Sequence, residues 1–279
     1  MNSLAQTATE VYNEAFDSGL RPDPLLTVSE WADRYRRLSG KSASEPGPYR
    51  TERTPYRREI MDSLSPYCPV ERVVFTKGAQ VGATEASNNW VGYVIHKSPG
   101  PMMLVQPTVE MAKRNSKQRI DPLIEESEPL RQLVKSPRSR DSGNTVLSKE
   151  FPGGVLVMTG ANSAVGLRSM AVRYLFLDEV DAYPGDVDGE GDPINLAFAR
   201  TRTFARRKVF MVSTPLITGL SRIEATFAES DQRRFWVPCP HCGEFPVLKF
   251  ARSRWPKCEP QKVGHMCTGC GQARLKHPK

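Results

Sequence analysis

The chain has 279 residues, 39% of them hydrophobic, with 39 Lys+Arg against 31 Asp+Glu and a formal charge of +8. That length holds one large α/β domain plus a small appendage, and the apolar content excludes wholesale disorder. The positive balance suits a polyanion such as nucleic acid, while no run reaches the ~18 apolar residues that a membrane helix needs.

Residues 1–25 read as a polar leader, partly mobile. "MNSLAQTATEVYNEAF" carries early acids and no apolar h-region, so it is no secretory signal. Without export, the six cysteines are expected as reduced thiols or metal ligands, not disulfides. "LLTVSEWADRYRRLS" reads as a helix, with capping-box spacing at Thr27 and Glu30 and with Trp31, Tyr35 and Leu38 at helical intervals. The Pro/Gly/Ser-rich stretch Gly40 to Ile60 is a connector running into a short helix. Then strands alternate with helices. "RVVFT" is a strand, "EASNNWVGYVIHK" a helix, and "PMMLVQP" a second strand. "TVEMAKRNSKQRIDPLIEESEPLRQLV" is helical, interrupted near Asp121-Pro122. "GGVLVMTGA" and "RYLFLDEVD" are the third and fourth strands. "INLAFARTRTF" is a helix and "KVFMVSTP" the fifth strand. Continuous apolar strands separated by helices predict a mostly parallel sheet covered on both faces. The texture changes near Phe235, so 26–235 is expected as one α/β domain and 236–279 as a second small unit.

Chemistry concentrates at the strand ends. In such sheets ligands bind at the carboxyl ends of strands. Lys77-Gly78-Ala79-Gln80-Val81-Gly82-Ala83-Thr84 follows the first strand and precedes a helix, as a phosphate-binding loop does. Alanine stands at Ala83, where such loops carry lysine. Lys77 enters the loop instead, and a long point-charge side chain can reach the same phosphates. Thr84 matches the hydroxyl that holds Mg²⁺. Taken alone, the loop could be a glycine turn packing strand on helix. "YLFLDEVDAYP" decides the matter, because a buried strand ending in Asp178-Glu179 is costly unless both carboxylates have work there. In a nucleotide hydrolase the Asp holds Mg²⁺ and the Glu orients the attacking water. Ser213-Thr214 end the next strand, beside the expected γ-phosphate. Arg168 precedes the acidic strand and is open between a transition-state contact, a DNA contact and a surface residue. Tyr56-Arg57 are open between stacking on adenine and packing.

"CPHCGEF" and "CTGCGQ" place Cys239, Cys242, Cys267 and Cys270 as two C-x-x-C pairs, the pattern of a tetrahedral zinc site. A glycine follows each pair, as a tight knuckle requires. Cys258, His241 and His265 are substitutes; Cys68 is read as a structural thiol.

Together these motifs resemble the ATPase motor region of the large terminase subunit of tailed bacteriophages, in the lambda-like (GpA) branch. The resemblance runs from about Leu26 to the C-terminus. It rests on "LTVSEWADRYRRLSG", "TPYRREIMDSLS", "FTKGAQVGATE", "LVQPTVEMAKRNSKQRIDPLI", "YLFLDEVDAYP", "STP" and "CPHCG…CTGCG". The displaced loop lysine of that branch falls on Lys77. The resemblance implies ATP hydrolysis driving double-stranded viral DNA into a procapsid in the host bacterial cytoplasm. It also implies a small terminase subunit and a portal as partners, and homo-oligomers during packaging. The branch's nuclease domain is expected to be missing from this chain. DNA would be held through phosphates without sequence reading, with Lys113, Arg114, Lys117 and Arg119 as candidate contacts or a solvated helix face. Two alternatives stand beside this: a helicase-like DNA-dependent ATPase, and a zinc-dependent DNA-binding module whose nucleotide site has died.

Overall fold

A computed structural model of the chain describes residues 7–20, 23–40, 45–135, 143–217, 219–255 and 263–275. The leader contains α1 (Ala8–Leu20), a helix the sequence reading did not draw, with Val11, Tyr12, Phe16 and Leu20 exposed. In α2 (Val28–Tyr35) the predicted capping box forms in both directions: Glu30 N–H donates to Thr27 Oγ1 at 3.2 Å, and Thr27 N–H to Glu30 Oε2 at 2.8 Å. The helix stops at Tyr35, short of the expected Leu38: Arg37–Leu38 instead form β1, which pairs with β2 (Gly47–Pro48) of the connector, and the connector runs into α3 (Arg58–Ser63).

The core follows. β3 (Arg72–Thr76) leads through the glycine loop into α4 (Ala83–Lys97), and then β4 (Met102–Gln106). The long predicted helix is three: α5 (Val109–Asn115), α6 (Asp121–Glu126) and α7 (Glu128–Leu133). A π-helical turn at Ser116–Ile120 separates the first two. Pro122 lacks the N–H that a continuous ladder needs, which accounts for a break near that point. The third strand is a hairpin, β5 (Ser148–Phe151) with β6 (Gly154–Gly160). The signal for it was Pro152-Gly153, with Gly153 at φ +82° as a type II turn requires. Then come α8 (Ala164–Arg168), β7 (Tyr174–Asp178), α9 (Pro193–Ala199), β8 (Lys208–Ser213) and α10 (Arg222–Ala228).

The six core strands lie in the order β3-β8-β7-β4-β6-β5. Every neighbouring pair is parallel except β5 with β6. Side chains alternate between two cores, as period 2 dictates. Met102, Leu104, Tyr174, Phe176, Phe210 and Val212 pack towards α2–α7. Met103, Val105, Leu175, Leu177, Val209 and Met211 pack with residues of α8, α9 and α10. The fold is therefore α/β, a mostly parallel sheet flanked by helices. Among the described residues no helix is long and apolar enough to cross a membrane. A small three-stranded sheet, β9 (Ser253–Arg254), β10 (Gly264–Met266) and β11 (Ala273–Leu275), forms the C-terminal unit in the order β11-β10-β9.

Candidate functional site

The strand order builds the site. β8 lies between β3 and β7, and register aligns Thr76 with Ser213 and Val212 with Asp178. The loop lysine, the hydroxyl pair and the acidic pair therefore leave the sheet at one carboxyl edge. Lys77 N–H donates to Ser213 O at 3.1 Å, carrying the ladder one residue further. The Lys77 ammonium then lies 2.7 Å from Glu179 Oε1 and donates to Thr214 Oγ1 at 3.0 Å. Thr214 N–H donates to Glu179 Oε2 at 3.3 Å. Three residues far apart in sequence thus form one hydrogen-bonded ring.

The two carboxylates differ in setting. Asp178 is buried, and removal from water is the largest cause raising its pKa to about 6. Gln106 Nε2, from the end of β4, donates to Asp178 Oδ2 at 2.9 Å and opposes that rise. Glu179 adopts left-handed backbone, φ 53° and ψ 52°, uncommon for a residue with a Cβ and typical of functional turns. The turn aims its carboxylate at Lys77 while Asp178 stays in the sheet.

The glycine loop is held from behind. Tyr56 Oη donates to Val81 O at 2.9 Å, and Arg57 Nη1 to Gly82 O at 2.9 Å. Gly82 has φ +79°, and a Cβ there would lie 2.5 Å from Arg57 Nη1, so a side chain would strain the turn and push the Arg57 guanidinium away. Ala83 and Thr84 open α4, whose N-terminal N–H groups favour an anion. Gly78, Ala79 and Gln80 are exposed. Tyr56 and Arg57 engage the loop itself, which is the packing alternative for these two residues.

Arg168, at the end of α8, is ion-paired with Glu190 at 2.8 Å, whereas Lys77 and Glu179 are paired with each other. Arg119 pairs with Glu85 of α4 at 3.4 Å, while Lys113, Arg114 and Lys117 are exposed.

Two functional candidates escaped the sequence reading. Gln106 carried a usable signal: like Asp178, it is a polar residue ending an apolar strand. Asp181 had none beyond acidity. Its carboxylate accepts from Leu216 N–H at 3.2 Å and Ile223 N–H at 2.9 Å, and its own N–H donates to Ser213 Oγ at 3.2 Å.

The cysteine unit brings Cys239, Cys242, Cys267 and Cys270 together, with all four Sγ atoms within 4.8 Å of one another. Gly243 and Gly271, one after each pair, have φ +75° and +70°, the left-handed turn the knuckle needs. Backbone N–H groups of Cys242 and His241 aim at Cys239 and lower its thiol pKa. Four converging thiols with that support fit a tetrahedral soft-metal site. His265 Nε2 instead accepts from Lys249 N–H at 3.1 Å, and His241 is outside the cluster. Cys258 lies outside the described residues.

A family model described as "Phage terminase large subunit gpA, ATPase domain" matches residues 43–279. The chain belongs to this terminase ATPase family. It is 32% identical over 259 residues to the terminase large subunit of Enterobacteria phage P21, covering 89% of this chain and 40% of that protein. To the terminase large subunit of Escherichia phage lambda it is 30% identical over 275 residues, covering 95% and 42%. This terminase chain thus spans about two fifths of the length of both relatives. The crystal structure of the HK97 bacteriophage large terminase superposes with a TM-score of 0.58 at 12% identity, over 73% of this chain and 41% of that one. That likeness shows a shared fold. The carboxyl-edge ring of Lys77, Glu179 and Thr214 lies within the residues that the family model matches.

Proposed function

We propose that this chain is the ATP-hydrolysing motor part of a phage terminase large subunit, which moves double-stranded viral DNA into a procapsid. The observation that carries the reading is the ring of Lys77, Glu179 and Thr214 at the mouth of the glycine loop. On this reading residues 26–235 are the motor and 236–279 a zinc-ribbon unit held by the four cysteines.

ATP fits with its phosphates over Lys77–Thr84 at the start of α4. Asp178 and the Thr84 hydroxyl would hold Mg²⁺, which supplies charge neutralisation on the phosphates. A buried carboxylate with its pKa raised to about 6 is a group that awaits a cation. Before nucleotide arrives, Lys77 and Glu179 occupy each other. The γ-phosphate competes for Lys77, and that exchange frees Glu179 to orient and deprotonate a water. The water oxygen bonds to the γ-phosphorus, the bond to the β–γ bridging oxygen breaks, and ADP leaves with that oxygen. Loss of phosphate returns Lys77 to Glu179 and Thr214, so the strand end of β8 registers each turnover. Adenine contact by Tyr56 or Arg57, and transition-state contact by Arg168 after it leaves Glu190, remain part of the proposal. So do the small subunit, the portal, homo-oligomers during packaging and the host cytoplasm.

Two variants test it. Lys77→Ala is expected to lower kcat at least a hundredfold, about the loss from one transition-state charge. Glu179→Gln is expected to bind ATP and not turn it over. Normal phosphate release from Lys77→Ala would refute the displaced-lysine site.

A further inference from the structure

We propose that the exposed face of the cysteine unit binds single-stranded DNA, with bases stacked on Trp236 and Phe245 and phosphates met by Arg234, Lys249 and Arg252. The inference goes beyond ATP-driven movement of duplex DNA. Only its choice of DNA over RNA rests on that reading.

Charge supplies the first argument. Residues 233–279 contain ten Lys/Arg and two Asp/Glu, Glu244 and Glu259, a net +8. Residues 1–232 contain 29 of each, so the whole chain's +8 resides in its last 47 residues. A zinc tetrathiolate would lower that figure and still leave the segment strongly positive. Charge this concentrated points to a polyanion and not to general solubility.

The second argument is shape and chemistry. A groove of about 640 Å³ runs between Arg234, Trp236, Phe245, Lys249 and Arg252, with Glu244 as its one carboxylate. Trp236 is 56% and Phe245 60% exposed, and Phe250 and Trp255 extend the aromatic surface at 82% and 47%. Among the described residues Arg234, Lys249 and Arg252 take part in no ion pair. Arg234 also lies 6.0 Å over the Phe227 ring, and open aromatic faces beside cations outside any ion pair form a stacking platform for unpaired bases, with phosphates held alongside. Duplex DNA keeps its bases stacked inside and has no use for exposed rings. The groove is the size of a small-molecule site and seats one or two nucleotides, not a double helix.

The experiment uses the full chain with zinc. Fluorescein-labelled oligothymidylate is titrated by anisotropy against the matching duplex and a ribo-oligomer of equal length, with tryptophan emission followed in parallel. Trp31 and Trp90 are fully buried, so quenching reports Trp236 and Trp255. The single strand is expected to bind at least tenfold tighter than the duplex and to quench emission. Trp236→Ala is expected to weaken it about tenfold, the worth of one stacked base. Lys249→Ala is expected to flatten the salt dependence without abolishing the quench. Equal or tighter duplex binding, binding without quench, indifference to Trp236→Ala, or tighter RNA binding would each overturn the proposal. ATP turnover measured on the same preparation separates the two readings: an active motor that ignores the oligomer sinks this inference alone.

Discussion

At the scale of single residues, Asp178 poses the sharpest conflict between stability and function. Its carboxyl is buried with Gln106 as its hydrogen-bond donor, and burial lifts its pKa to about 6. The folded state therefore holds this proton more tightly than the unfolded chain, whose carboxyl titrates near the usual value of about 4. Stability from this group is fully present below about pH 4 and is lost as pH rises through about 6, a difference of roughly 3 kcal/mol by linkage. Asp178→Asn keeps an oxygen for Gln106 and removes the buried charge. The expected outcome at pH 7.5 without nucleotide is a higher Tm together with loss of turnover. A denaturation scan and a phosphate-release assay on one preparation check both. A lower Tm would mean that the charge is already compensated. In the wild type, turnover is expected to decline as pH falls through about 6, because the protonated acid no longer attracts a cation.

At the scale of elements, the decisive fact is where β8 lies. The sequence made β8 the fifth strand in chain order, and its apolar run was plain. That it lies between β3 and β7 follows from non-local pairing, which periodicity does not encode. Only that order brings Ser213-Thr214 between Lys77 and Glu179. The acidic strand end, the loop and the cysteine pairs were legible because each is a local pattern with a chemical cost. Asp181 was not, because its partners Leu216 and Ile223 lie 35 and 42 residues away. Lys208 was equally silent: a strand-opening lysine, buried at the edge opposite the site, whose amine donates to the carbonyls of Ser63, Cys68 and Val70. Asp181 fastens the acidic turn to the segment after β8 and to the start of α10. Asp181→Ala leaves the exposed Leu216 N–H to water and the part-buried Ile223 N–H without its acceptor, the latter at about 1–3 kcal/mol. The expected result is a lower urea midpoint and a reduced kcat with KM for ATP little changed. A rise in KM with normal kcat would place Asp181 in binding, contrary to its contacts.

At the scale of the whole molecule, the two units differ in what holds them. The sheet has two apolar cores, one on each face. The cysteine unit buries little besides Cys239, Cys267 and Gly264 among its described residues, so on the proposed zinc-ribbon reading it would depend on a bound metal far more than the sheet does. A segment of that size without a core is unfolded unless cross-linked or metallated. The units still touch: the Phe235 ring lies edge-on to Tyr56 at 5.8 Å, and Tyr56 Oη holds Val81 O of the glycine loop. Zinc removal by a chelator is therefore expected to abolish amide protection across residues 239–255 and 263–275 while β3, β7 and β8 stay protected. Basal ATP turnover is expected to survive within a few-fold, with KM rising as Tyr56 loses the Phe235 ring behind it. Hydrogen exchange and steady-state kinetics on the same chelated sample read both effects. Collapse of the sheet along with the ribbon would make the metal a fold-wide requirement, and an unchanged KM would show that the Phe235–Tyr56 contact transmits nothing to the loop.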